Sequence, residues 1–232
     1  MRQGKVLVID DDEDIRHSLR RRLSDRGYEV FLAGSGEEGL TKALTESPDV
    51  IVLDVDMPGM DGIQTCREIR AHLFVPIIFL SVRSDETDIV LGLGVGGDNY
   101  LAKPFKASEL LAYVDAAARR ETVYSQRRKQ SKLLKVKDLV LDLSAYELKR
   151  GGDVIQLTPT EFKLIRMLAE NVDRVLTREQ LLDHVWEFNA NGVYSRTVDV
   201  HIGRVRGKIG DDRANPQYII TVPGLGYKMP SG

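Results

Sequence analysis

Thiols are nearly absent: Cys66 is the one cysteine, which excludes a disulfide framework and a cysteine-ligated zinc site. Long apolar runs are missing too, since none approaches the ~20 residues that span a bilayer. No signal-peptide pattern precedes the first apolar stretch at residues 6–9, so a cytoplasmic protein with no membrane partner is expected. What is present is ordinary globular material: 42% apolar and 29% charged residues argue against wholesale disorder, and 232 residues suit two domains better than one. Charge is divided unevenly. Residues 1–121 carry 15 Lys plus Arg against 22 Asp plus Glu, or −7, whereas residues 122–232 carry 18 against 13, or +5. An acidic half suits a cation and a basic half a polyanion.

Five short apolar runs in the first half end in polar residues that share a chemistry. Asp10 and Asp11 follow 6–9, Asp54 follows 50–53, Ser81 follows 77–80, and Lys103 follows 100–102. Helical patterns separate the runs, with Ile15, Leu19 and Leu23 on one face, then Ile63, Cys66 and Ile69, then Leu110, Val114 and Ala117. Strands alternating with helices imply a doubly wound, five-stranded parallel sheet whose carboxyl edge collects those polar side chains in one crevice. Three carboxylates beside a lysine and a hydroxyl suit a divalent cation and a phosphoryl group. Magnesium favours octahedral oxygen ligands and keeps several waters, so Asp11 and Asp54 are the expected direct ligands, with Asp10 acting through water and a backbone carbonyl completing the protein's share. Asp54 is the expected phosphoacceptor, because a carboxylate can form an acyl phosphate. Lys103 would offset the charge on the transferred group, and Ser81 would hydrogen-bond the product.

These stretches, VLVIDDDED at 6–14, VIVLDVDMPGMDG at 50–62, VPIIFLSVR at 75–83 and DNYLAKPF at 98–105, resemble the receiver domain of two-component response regulators. The resemblance implies a flavodoxin-like fold over residues 1–120, phosphorylation of Asp54 by a sensor histidine kinase, and Asp56 supplying its backbone carbonyl to the metal. It also implies a cis peptide before Pro104, and Ser81 and Tyr100 as the switch that reports to the face formed by the fourth helix, fifth strand and fifth helix. That face is the implied homodimer contact. Its usual ion pairs are broken here, because Ile89 stands opposite Glu109 and Asn99 opposite Tyr113, leaving Asp98 with Arg119 or Arg120 as a substitute pair. Two further departures lie at the site. Asp56 adds a carboxylate where only its carbonyl is needed, and Val82 replaces a small residue at the approach to Asp54. The G-x-G-x-x-G spelling at 92–97 ends a helical pattern and precedes a strand, the wrong context for a dinucleotide cradle.

Residues 121–132, ETVYSQRRKQSK, are polar and lack apolar periodicity, and read as a linker. After them, alternating runs at 139–143, 146–149 and 154–157 suggest a small antiparallel sheet. Thr158, Pro159 and Glu161 form a capping box that opens a helix, and a second helix starts at Thr177. Residues 195–209 place Val198, Ile202, Val205 and Ile209 on one stripe and cationic side chains elsewhere, a helix able to lie in a major groove.

LTPTEFKLIRMLAEN at 157–171, LTREQLLDHVW at 176–186, SRTVDVHIGRVRGKIG at 195–210 and YIITVPGLGYKM at 218–229 resemble the winged-helix effector of the OmpR/PhoB type. The resemblance implies an α+β DNA-binding domain over 133–232 that reads double-stranded promoter DNA. Arg204 and Arg206 are then the groove contacts, Arg196, Thr197, His201 and Lys208 the phosphate contacts, and Thr221 and Tyr227 the wing contacts. Residues 188–194 would meet RNA polymerase. Gly203 and Gly207 replace polar or basic residues of the recognition helix, and Pro223 a wing arginine, so weaker intrinsic DNA affinity is expected. The whole reads as a phosphorylation-regulated transcription factor and not an enzyme, its chemistry limited to its own phosphoryl transfer and dephosphorylation. A phosphohydrolase is the competing reading, since Asp54-Val55-Asp56 with Ser81 and Lys103 is similar to haloacid-dehalogenase-type phosphatases. Asp10 and Asp11 come too early in the chain for that order.

Overall fold

Residues 3–83, 85–126, 133–186 and 195–232 are described by a computed structural model, which divides into two compact units, Met1–Thr122 and Val123–Gly232. In the first, apolar runs become β1 (Lys5–Ile9), β2 (Glu29–Ala33), β3 (Val50–Asp54), β4 (Ile77–Ser81) and β5 (Asn99–Ala102). They pair in parallel in the order β2-β1-β3-β4-β5. Between them run α1 (Glu13–Asp25), α2 (Gly36–Glu46), α3 (Gly62–Arg70) and α4 (Glu86–Val95), and α5 (Ala107–Gln126) follows. Strands β1, β3 and β4 are covered on both sides, which explains why their sequences are continuously apolar. Alternate residues Leu7, Ile9, Ile51, Leu53, Ile77 and Phe79 share a core with Ala43 of α2 and Cys66 and Ile69 of α3. The strand order reverses direction at β1, and the crevice at such a switch point opens where β1 and β3 end.

Local chemistry sets the edges of that crevice. Asp12 stops the β1 extension and caps α1, its carboxylate accepting from the amides of Asp14 and Ile15. Asp61 caps α3 in the same way through Gln64 N. Gly62 is required by close approach: a Cβ there would sit 2.0 Å from the Asp54 carbonyl oxygen. The glycine run at 92–97 lies in the last turns and cap of α4, and Gly92 leaves room for the Tyr100 ring, which a Cβ would meet at 3.2 Å.

Helix α5 continues to Gln126, so residues 121–126 are helical and do not form the irregular tether expected from composition. No glycine or proline interrupts 107–126, so the helix begun by the Leu110, Val114 and Ala117 stripe meets no breaker before Gln126. Residues 127–132, the rest of the linker, lie outside the described residues.

The second unit opens with a four-stranded antiparallel sheet, β6 (Leu133–Val136), β7 (Leu139–Asp142), β8 (Glu147–Arg150) and β9 (Asp153–Ile155), one strand more than the alternation suggested. Three helices follow, α6 (Pro159–Glu170), α7 (Arg178–Trp186) and α8 (Ser195–Ile209). Thr158 and Glu161 form the expected reciprocal capping box on α6. A short β10 (Leu176–Thr177) joins the terminal hairpin β11 (Ile220–Val222) and β12 (Gly226–Lys228) in the order β10-β12-β11. Gly226 allows β10 to lie against it, since a Cβ would meet the Leu176 carbonyl oxygen at 2.0 Å. The core gathers Val198, Ile202, Val205 and Ile209 from α8 with Leu164, Leu168, Leu181, Trp186 and Tyr218.

Candidate functional site

At the carboxyl ends of β1 and β3, one oxygen from each of Asp10, Asp11 and Asp54 lies within 4.8 Å of the others. Asp10 and Asp54 are buried and Asp11 is exposed. Lys103, just after β5, bridges the two buried acids with its Nζ 2.9 Å from Asp10 Oδ2 and 2.8 Å from Asp54 Oδ1. The Lys103–Pro104 peptide is cis, and the Lys103 amide donates to the Ser81 carbonyl. Asp10 is anchored further by the Asp12 amide, and its carbonyl accepts from Arg16 Nη1.

Three carboxylates against one ammonium leave a local excess of two negative charges. Burial pushes the Asp54 carboxyl above the ordinary aspartate range; the Lys103 ammonium pulls it back, while Asp10 and Asp11 add to the rise. Burial works to lower the Lys103 ammonium, but its bonds to Asp54 and Asp10 outweigh that and hold it above the usual lysine range. An all-oxygen donor set with that excess fits a hard divalent cation.

The remaining receiver residues form an outer cluster. Ser81 Oγ donates to Asp56 Oδ2 at 3.0 Å and accepts from the Arg83 amide at 3.0 Å. Arg83 Nη2 lies 2.7 Å from Asp56 Oδ1, and the Tyr100 hydroxyl donates to the Arg83 carbonyl. Burial raises the Tyr100 hydroxyl above its ordinary pKa, partly countered by Ser81. Val82 is 67% exposed at the rim. The Asp56–Arg83 pairing was not read from the sequence, although residues 81 and 83 are two apart and Asp56 lies two beyond Asp54, spacings that keep side chains on one side of adjacent strand ends.

On the expected dimer face, Ile89 and Tyr113 are buried within the receiver, and burial pushes the Tyr113 hydroxyl up to about 12. Asp98 is fully buried and pairs with Arg70 Nη2 at 2.8 Å, while the side chains of Arg119 and Arg120, its expected partners, lie outside what is described. Arg70 also donates to the carbonyls of Gly96, Leu73 and Val75, which makes the pair a structural tie.

The recognition helix differs most from expectation. Thr197, His201 and Arg206 are buried, as is Tyr227 of the wing. The His201 ring packs edge-on against Trp186 at 5.1 Å, with Nδ1 2.9 Å from the Thr197 carbonyl oxygen. Arg206 donates through Nε and Nη2 to the Ile219 carbonyl and through Nη2 to Thr221 Oγ1, stapling α8 to the wing. Tyr227 donates to Asp199 Oδ1, which also accepts from Arg178 Nε; burial and the Asp199 bond push the Tyr227 hydroxyl up to about 12. These four side chains therefore act inside the domain and are not surface contacts in this conformation. The position of Arg206, four after Ile202 and three before Ile209, already placed it beside the buried stripe.

Arg204 and Lys208 flank the exposed side, paired with the two oxygens of fully buried Glu161 at 2.8 and 2.6 Å. Opposite the buried stripe run exposed Arg196, half-buried Val200 and exposed Gly203 and Gly207. Thr221 is exposed on β11. Residues 188–194, expected at RNA polymerase, lie outside the described residues.

A strand-tip carboxylate crevice on a parallel sheet, followed by a three-helix domain with a wing, defines a response regulator with a DNA-binding output. Residues 6–115 match the response regulator receiver domain family, and residues 152–229 match the family of transcriptional regulatory protein C-terminal domains. Among solved structures, the response regulator DrrB of Thermotoga maritima, an OmpR/PhoB homologue, is 35% identical over 99% of this chain and 100% of its own, with a TM-score of 0.52. A RitR mutant is 28% identical over 98% and 99%, with a TM-score of 0.75. The chain belongs to the OmpR/PhoB family of response regulators and is a phosphorylation-regulated transcription factor. Its two domains imply a histidine kinase as phosphoryl source and DNA as target. Among the described residues no helix is long and apolar enough to cross a membrane.

Proposed function

We propose that Asp54 is the phosphoacceptor, with the joint placement of Asp10, Asp11, Asp54 and Lys103 at one sheet edge as the carrying observation. A carboxylate oxygen of Asp54 displaces the kinase histidine nitrogen from phosphorus, leaving an acyl phosphate and a free imidazole. Asp11 and Asp54, with the Asp56 backbone carbonyl and Asp10 through water, would hold magnesium. When bound, the ion supplies charge neutralisation at the phosphoryl oxygens. Lys103 holds Asp54 in place and offers its ammonium to the new anion, and Ser81 and Tyr100 carry the change outward.

In this reading the protein works in the cytoplasm, and phosphorylation favours a homodimer through α4, β5 and α5, where exposed Leu91 of α4 supplies apolar area in place of ion pairs. Dimerisation pairs two recognition helices on promoter DNA half-sites. The proposed DNA-facing set is Arg196, Arg204, Lys208 and Thr221, with RNA polymerase met by 188–194. A phosphohydrolase is not favoured, because Asp56 is engaged by Ser81 and Arg83. Intact-mass measurement after incubation with acetyl phosphate and magnesium tests the reading. One phosphoryl per chain is expected, abolished in Asp54→Asn; label persisting in that variant, or continuous turnover of a phosphomonoester, refutes it.

A further inference from the structure

A serine hydroxyl has one proton to donate. In this receiver it is already committed, because Ser81 Oγ donates to Asp56 Oδ2 at 3.0 Å. The acceptor is a carboxylate, so this bond belongs to the stronger, charge-assisted class. Asp56 is held there from its other side, with Oδ1 2.7 Å from the Arg83 guanidinium. Arg83 closes the ring by donating its own amide to Ser81 Oγ. The same residue accepts the Tyr100 hydroxyl at its carbonyl and places Nη1 3.8 Å from Asp88 Oδ1. Both proposed switch side chains are thus tied to one small assembly before any phosphoryl group arrives.

Asp56 enters the metal site only through its backbone, so its carboxylate has no part in the catalytic set of Asp10, Asp11, Asp54 and Lys103. Its position next to that set needs a reason. We propose that the Asp56 carboxylate, anchored by Arg83, competes with the phosphoryl group on Asp54 for the Ser81 proton and so sets the threshold of the switch. The proposal rests on Asp54 being the phosphoacceptor.

The competition runs between two anions for one donor. Without phosphorylation, Asp56 wins by default, and Ser81, Arg83 and Tyr100 remain in the observed ring. An acyl phosphate brings three further acceptor oxygens beside Ser81. For Ser81 to serve them, its proton leaves Asp56, whose remaining charge is then borne by Arg83 alone. Asp56 and Arg83 are positioning residues here: they act through Ser81 and touch no reacting atom.

Loss of the competing acceptor should make a phosphoryl group easier to accommodate. Beryllofluoride with magnesium serves as the probe on the full chain, with binding followed by backbone amide resonances. Asp56→Ala leaves the backbone carbonyl in place and removes only the competitor; it should tighten beryllofluoride binding by about tenfold or more, the scale of a hydrogen bond to a charged group. Asp56→Asn keeps an acceptor but no charge and should fall between wild type and Asp56→Ala. Arg83→Ala should weaken binding while Asp56 is present, by leaving its carboxylate uncompensated, and do so much less in the Asp56→Ala background. A purely structural role would not produce that ordering or that coupling. The Arg83 amide, which donates to Ser81 Oγ, should shift in ligand-free Asp56→Ala, an independent sign that the hydroxyl has been released.

Binding by Asp56→Ala within about twofold of wild type, or an additive Asp56/Arg83 cycle, overturns the proposal while Asp54 stands as acceptor. Wild-type binding that survives Asp54→Asn overturns the phosphoacceptor reading, and the competition with it. Should Asp56→Ala fail to fold, Asp56→Asn decides in its place: tighter binding with a shifted Arg83 amide supports the competition, and wild-type affinity overturns it.

Discussion

Restoring cations to the recognition helix should strengthen DNA binding and the fold together. Gly203 and Gly207 lie on the exposed side of α8, and a Cβ at either meets nothing within 4 Å. Each interior helical glycine costs about 0.8–1 kcal/mol relative to alanine, and Arg and Lys recover most of that. Like charges at i, i+4 give back a few tenths of a kcal/mol. Gly203→Arg with Gly207→Lys should therefore stabilise the effector by about 1 kcal/mol, or about 4–8 °C in a unit of this size. Trp186, the single tryptophan, is buried in that unit and reports its melting by fluorescence. If both new side chains reach phosphates, the slope of log affinity against log salt for duplex DNA should steepen by about 1.8. Unchanged or lowered melting would show that the face is not open. Raised melting with an unchanged salt slope would show that this stripe does not face DNA, and would refute the orientation proposed for α8.

Three further outcomes follow from single contacts. Glu161→Ala removes the buried partner of Arg204 and Lys208 together with the α6 capping box, and should cost the effector about 3 kcal/mol or more in urea unfolding followed through Trp186; a loss below about 1 kcal/mol contradicts the assignment. Gly62→Ala would drive a Cβ onto the Asp54 carbonyl oxygen, so a receiver destabilised by about 3 kcal/mol or more, with slowed acetyl phosphate labelling, is expected. Val82→Ala trims an exposed side chain next to Ser81 and should speed labelling by small phosphoryl donors, as read by intact mass over time; equal rates for the two proteins remove the steric argument.

The acidic crevice was legible because its logic is one-dimensional. An apolar run followed by Asp, Ser or Lys announces a strand and its end together, and parallel pairing places every such end on one edge. The caps at Asp12, Asp61 and Thr158 are equally local, since each side chain bonds amides two or three residues ahead. The extension of α5 was hidden because residues 121–126 carry no apolar stripe, and Thr, Val, Tyr and Ser among them are only middling helix formers. Strand β6 was hidden because exposed Leu133 blurs its alternation.

Charge alone could not tell which cations of α8 are tied to partners inside the domain. Arg204 and Arg206 are two residues apart, so they project about 200° apart around the helix. Sequence determined that one side of α8 is apolar and that two glycines lie on the other. Only tertiary packing decided that Glu161 takes Arg204 and Lys208, that the wing takes Arg206 and Tyr227, and that Asp56 takes Ser81. The physical reason is separation along the chain. Those partners are brought within hydrogen-bond range by the packing of distant elements, and no local periodicity records which acceptor a long side chain will meet.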